Sequence, residues 1–125
     1  MMSKFVKVST ELRDLNLIKR SLDDLKLTYR EDARYTHIWN GSVNQVPVLV
    51  ESPKANFGLR QTETGIYEAV GDDMQMRAIR STLDQVQQRY AYHKVVAETA
   101  LAGFDLVEES VGRDNVIRMT VRRWS

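Results

Sequence analysis

Residues 72–103 read DDMQMRAIRSTLDQVQQRYAYHKVVAETALAG, and this stretch decides the fold. Met76, Ile79, Leu83, Val86, Tyr90, His93 and Ala97 follow one another at steps of three or four. That is the spacing of one face of an α-helix. Asp72 and Asp73 suit its N-terminal cap, and Gly103 suits its end. Uninterrupted from 74 to 102, the helix would be about 44 Å long at ~1.5 Å per residue. A compact chain of this length is only about 36 Å across. A kink or break is therefore expected between Gln87 and His93, where aromatic side chains crowd the helix.

On the N-terminal side of that helix the period falls to two. Phe57–Gln61 and Ile66–Val70 flank Thr62-Glu63-Thr64-Gly65 and read as a tight hairpin, with Gly65 supplying positive φ. Tyr35–Trp39 and Val46–Glu51 read as a looser hairpin around Asn40-Gly41. Pro47 marks its second strand as an edge or a bulge. Asp14 is an N-cap for a helix running to about Leu27, whose apolar stripe is Leu15, Ile18, Leu22 and Leu25. Lys19–Asp23 and Arg20–Asp24 stand four apart on its outer side and read as solvated pairs. Phe5–Leu12 alternates, with Val6, Val8, Thr10 and Leu12 on one face.

On the C-terminal side, Phe104–Ser110 and Val116–Trp124 form a last hairpin around Gly112-Arg113-Asp114-Asn115. Ile117, Met119 and Val121 face inward, and Arg118, Thr120 and Arg122 face out. The fold class is α+β: a mainly antiparallel sheet packed on one short and one long or broken helix, in a single domain over residues 1–125. A ferredoxin-like βαββαβ arrangement with an extra hairpin is the favoured topology.

Composition removes several chemistries. The chain has 18 Lys+Arg and 17 Asp+Glu, for a net charge of +1, which argues against attraction of the whole surface to nucleic acid or an anionic membrane. It has no Cys, so disulfides, zinc knuckles and thiol catalysis are excluded. No apolar run approaches the roughly 18 residues needed to span a bilayer. No P-loop, GxGxxG or GxSxG pattern occurs. The two histidines, His37 and His93, are far apart and lack metal-ligand spacing. Neither a catalytic set, a cofactor nor a metal is expected, and an enzyme is unsupported.

The surface feature above background is basic and aromatic. Arg118, Arg122 and Arg123, with Arg113 and Trp124, cluster in the terminal hairpin. Arg77, Arg80, Arg89 and Lys94 lie on the long helix beside Tyr90 and Tyr92. Three readings stay open at this point. The stripe is a solvated sheet face neutralised by Glu108 and Glu109, a protein-binding surface rich in Arg and aromatics, or a site for single-stranded nucleic acid.

Arg89-Tyr90-Ala91-Tyr92-His93-Lys94-Val95-Val96, then Gly103-Phe104 and the ending Val121-Arg122-Arg123-Trp124, resemble the hypothetical chloroplast reading frame thirty-five family. Ser3-Lys4-Phe5 at the start fits as well. The likeness spans nearly the whole chain, and Gln88–Val96 with the Trp ending carries it. The resemblance implies a cytoplasmic or stromal protein from cyanobacteria, algal plastids or cyanophages. It supplies no activity and no catalytic residue, and it singles out Tyr90, Tyr92 and His93. The leading expectation is a non-enzymatic adaptor or regulatory module that binds another protein. Arg118, Arg122, Arg123, Trp124, Tyr90, Tyr92 and His93 would be its contact residues. The alternative is a small nucleic-acid-binding protein that uses the C-terminal hairpin. No membrane partner is expected.

Overall fold

The computed structural model describes the backbone of residues 5–36, 43–111 and 117–123. Its elements are β1 (Phe5–Ser9), α1 (Leu15–Asp24), β2 (Thr28–Thr36), β3 (Val43–Glu51), β4 (Asn56–Gln61), β5 (Tyr67–Asp72), α2 (Met76–Leu101), β6 (Phe104–Val111) and β7 (Ile117–Arg123). Five strands form one sheet in the order β1-β5-β4-β3-β2, with every pair antiparallel. β6 and β7 form a two-stranded sheet of their own. The class is α+β, as the periodicities indicate.

The topology departs from the ferredoxin-like expectation in two ways. There the first βαβ unit is split by one strand. Here β3, β4 and β5 all lie between β1 and β2, because β2–β5 run as a continuous meander. The strand after α2 does not return to β1 but pairs with β7.

The expected break in the long helix is absent. α2 is helical without interruption over its 26 residues, about 39 Å. The packing limit does not bind because only the first half is seated. Ile79, Leu83, Val86 and Tyr90 are buried, and no residue from Ala91 to Leu101 is. The second half projects past that core and carries the terminal hairpin. At its start, Asp72 accepts a hydrogen bond from the Met74 N–H at 2.9 Å. At its end, Gly103 adopts φ +86°, the left-handed turn that ends a helix.

α1 is capped as expected, with Asp14 Oδ1 accepting from the N–H groups of Asn16 and Leu17. It ends earlier than Leu27, because Lys26 takes φ +56° and the Leu27 N–H closes back on the Leu22 carbonyl at 3.0 Å. β1 stops at Ser9 because the Thr10 hydroxyl leaves the ladder. It donates to the Tyr67 carbonyl at 2.6 Å and accepts from the Leu12 N–H at 3.1 Å. β2 begins at Thr28 rather than near Tyr35. Arg30, Glu31, Asp32 and Arg34 hide it from a hydrophobicity reading, yet charges suit an outer strand that must not pair further.

The main core lies between the sheet and the helices. Ile18 and Leu22 of α1, Ile79, Leu83 and Val86 of α2, and Val48, Val50, Phe57, Leu59 and Ala69 of the sheet are all buried there. Leu15 and Leu25 are half-buried. At Gly71 α2 packs directly on the backbone of β5, since a Cβ there would lie 2.6 Å from Ile79 Cδ1. A smaller cluster joins Tyr35, Val46, Leu49 and Val70, with Ala33 against it. Tyr29 packs in the main core while Ala33 and Tyr35, of the same parity, pack in the smaller one. Asp32, at φ +50°, lies between them and turns the strand over. Pro47 lies at the same level of β3, between the paired residues Val46 and Val48. Pro47 is therefore not in an edge strand. β3 lies between β2 and β4, and its ladder with β4 begins at Val48, one residue past the missing N–H.

Gly58 is held between two stiff side chains. A Cβ there would lie 2.7 Å from Val46 Cγ1 and 3.1 Å from Val70 Cγ2, and valine has little χ1 freedom with which to yield. Gly58→Ala is expected to destabilise the chain by about 1–3 kcal/mol, read from the midpoint of urea unfolding.

Candidate functional site

Tyr90 ties the helices together. Its hydroxyl accepts from the backbone N–H groups of Arg13 and Asp14, both at 3.0 Å. One turn earlier on α2, Gln87 Oε1 accepts from the Glu11 N–H at 3.1 Å. Two side chains of α2 thus satisfy three backbone donors of the β1–α1 connection. Tyr90 is 7% exposed, so among the expected contact residues it serves the fold first.

Tyr92 and His93 belong to a second junction. Asp24, in the last turn of α1, accepts from Arg89 Nη2 at 3.0 Å and Arg89 Nε at 3.2 Å. His93 Nε2 lies 2.5 Å from the same oxygen, Asp24 Oδ2. An ionised carboxylate can only accept, so Nε2 carries the proton. The Arg89 guanidinium stacks 4.5 Å from the centre of the Tyr92 ring, and the Tyr92 and His93 rings meet edge-on at 5.1 Å. Partial burial pushes the Asp24 carboxyl up, but the hydrogen bonds from His93 and Arg89 outweigh it and hold the group below the usual carboxylate range. The solvated pair expected between Arg20 and Asp24 is replaced by this junction, and Lys19 turns instead to Glu31 of β2 at 2.9 Å. Among the described residues no three His, Asp or Glu side chains gather as metal ligands would.

Beside Tyr90 the surface is concave. A hollow of about 460 Å³ opens between Glu11, Leu12 and Arg13, Ile66, and the Gln87–Lys94 turns of α2. A second, of about 290 Å³, continues along α2 past Leu17 to Ala97, Glu98 and Leu101. The two meet at Arg13, Tyr90 and Lys94, which line both. Leu101 is 90% exposed at the far end. On another flank of α2, Gln88, Ala91, Tyr92 and Val95 face Ile117 and Met119 of β7 across a hollow of about 220 Å³.

The hairpin keeps its expected inward and outward sides where its side chains are described: Ile117 and Met119 are half-buried and Arg118 is exposed. In the ladder Arg118 stands opposite Ser110, Arg122 opposite Asp105, and Arg123 opposite Phe104. Glu108 and Glu109 stand opposite Thr120 and Met119, after a register shift following Leu106. His37, Trp39, Arg113 and Trp124 lie outside the described residues, as do the side chains of Val121, Arg122 and Arg123. The structure thus places Tyr90, Tyr92 and His93 on one stretch of α2 but divides them between two junctions, Tyr90 at Arg13 and Asp14 and Tyr92 with His93 beside Asp24. Sequence reasoning missed Asp24 and Arg13, which reach α2 only through the fold.

A family described as "Protein of unknown function (DUF1257)" matches residues 21–120. The chain belongs to the DUF1257 family. The resemblance carried by Arg89–Val96 and the Trp ending holds along the full length. An "uncharacterized protein ycf35" of Guillardia theta is 32% identical, with 98% of each chain covered. A protein of the same name in Pyropia yezoensis is 28% identical over 99% of each chain, and one in Cyanophora paradoxa is 27% identical over 98%. These DUF1257 relatives are algal plastid proteins. No solved structure matches this chain. Among the described residues no helix is long and apolar enough to cross a membrane.

Two expectations follow from the junctions. Tyr90→Phe leaves two backbone donors without their acceptor and should cost about 1–3 kcal/mol. Hydrogen exchange at the Arg13 and Asp14 amides should quicken more than at the amides within α1. Asp24→Asn should cost about 0.5–1 kcal/mol at neutral pH, since the carboxylate stays partly exposed. A carboxyl held low in the folded state contributes above its unfolded pKa and loses that contribution as pH falls through the folded value. The gap in melting temperature between the parent and Asp24→Asn should therefore close on acidification.

Proposed function

We propose that this chain is a non-catalytic protein-binding module of the cytoplasm or plastid stroma, and that its partner docks along the flank of α2. The observation that supports this reading is the shape of that flank. The two hollows meeting at Tyr90 form an open trough beside Gln87–Leu101, about 21 Å of helix. That length accommodates roughly six residues of extended chain. Asp24, Arg89 and His93 line neither hollow and are engaged with one another, bracing α2 against α1. The lining mixes Tyr90 and the apolar Leu17, Ala91, Ala97 and Leu101 with charged and polar side chains, and aromatic and arginine side chains are enriched where proteins meet.

The test is affinity capture with the full chain from a lysate of an organism that carries this family, with and without nuclease. The expected result is a retained protein that survives nuclease, depends little on salt, and is lost with Leu101→Asp. Retention that vanishes with nuclease and falls steeply with salt would instead indicate nucleic acid. In that case Arg118→Ala with Arg122→Ala should weaken it.

A further inference from the structure

We infer that the trough beside α2 receives a second copy of this chain, the outer halves of the two α2 helices lying antiparallel so that Lys94 of each copy meets the partner's Glu98. This rests on the protein-binding reading above and names its partner.

The core-facing stripe of α2 runs on past the core that seats it. Ile79, Leu83, Val86 and Tyr90 are buried in the main core. Steps of three and four carry the same stripe on through Lys94, Ala97 and Leu101, and all three are exposed. The terminal hairpin faces a different flank, at Gln88, Tyr92 and Val95. A helix is the element that packs along such a stripe, at an axis distance of about 8–10 Å. Ala97, in the middle of the exposed part, leaves room for that approach.

Charge selects which helix. The lining carries Arg13 and Lys94 against Glu11, Asp14 and Glu98. Such a mixture suits a surface that meets its own copy better than it suits an occupant of one sign. Asp14 is already engaged, since its Oδ1 accepts the two N–H bonds that cap α1. Glu11 lines only the hollow beside Gln87, whose Oε1 takes its N–H, about two turns before Lys94. Arg13, Lys94 and Glu98 remain, and among the described residues none of them has an ion pair. Lys94 and Glu98 lie about 6 Å apart along the helix. With a two-fold axis midway between them, each Lys94 stands opposite the partner's Glu98. Arg13, which lines both hollows with Lys94, adds a second cation to that pair. The same register sets the exposed Leu101 opposite the partner's Ala91, in the hollow beside Tyr90.

The experiment follows the mass of the full chain by sedimentation velocity over about a hundredfold range of concentration. Two arms of about 16 Å make a contact at the small end of specific interfaces, so the dimer is expected toward the top of that range. Lys94→Glu and Glu98→Lys should each weaken association by about tenfold or more, because like charges then face one another twice. Mixed in equal amounts, the two variants should associate again, since every Glu then meets a Lys. Leu101→Asp should also weaken the dimer, while Arg77→Glu, on α2 but outside the trough, should associate as the parent does. All four positions are exposed, so at concentrations where every chain is a monomer the melting temperatures should agree. The inference is overturned if the parent stays monomeric throughout, if its dimer is indifferent to Lys94→Glu or Glu98→Lys, or if the mixed variants associate no better than either alone. A monomeric parent that still retains a nuclease-resistant protein in the capture assay sinks this inference and leaves the protein-binding reading standing. If a monomeric parent retains only nucleic acid there, the protein-binding reading falls as well.

Discussion

The fold depends on a short helix having to cross a wide sheet. β1 and β2 run parallel at opposite edges, with three strands between them. Four inter-strand steps amount to about 19 Å, and the ten residues of α1 cover about 15 Å. The crossing therefore leaves a connection at each end of α1. Both ends are met by α2. Tyr90 and Gln87 take the donors of the entering connection, and Arg89 with His93 grips Asp24 at the exit. The aromatic and basic residues of Gln87–His93 are explained by this geometry without appeal to a ligand.

That geometry also makes the trough. The β1–α1 connection is drawn against α2 by backbone donors, so the side chains of Glu11 and Arg13 are left to face outward. Arg13 gives its N–H to Tyr90 and keeps its guanidinium for whatever lies alongside. The same residue thus has a structural half and an available half. Leu12 behaves differently, because its side chain is fully buried and its carbonyl accepts from the Tyr67 N–H at 2.7 Å, locking the connection onto β5.

Local signals were legible in the chain itself. The Asp14 cap, the left-handed Gly65 and Gly103, and the stripe of Ile79, Leu83 and Val86 all express short-range physics, and the structure has them where the spacing puts them. Tertiary facts were not legible. Asp24 looked like half of a solvated pair with Arg20, since nothing in ten residues of helix reveals a partner 65 positions away. The charged start of β2 hid a strand, because an outer strand needs no apolar alternation. The helix was expected to break because a compact outline was assumed for the whole chain, and the terminal hairpin rides outside the main core. Of the candidate site, Tyr90, Tyr92 and His93 are singled out by the sequence as contact residues; what it does not show is that Tyr90 accepts from the β1–α1 connection and that His93 bonds Asp24 of α1.

The unbroken α2 has a mechanical consequence. A rod clamped from Ile79 to Tyr90 and unsupported by the main core beyond is a cantilever. From Tyr90 to Leu101 the arm is about 16 Å, so a tilt of about 5° at the clamp shifts the tip by roughly 1.4 Å by that same length. The clamp is the pair of junctions at Asp24 and Tyr90, and the tip bears the β6–β7 hairpin through Gly103, whose absent Cβ would meet nothing within 4 Å. Any load on the hairpin is thus transmitted as torque to the very contacts that seat α1 across the sheet.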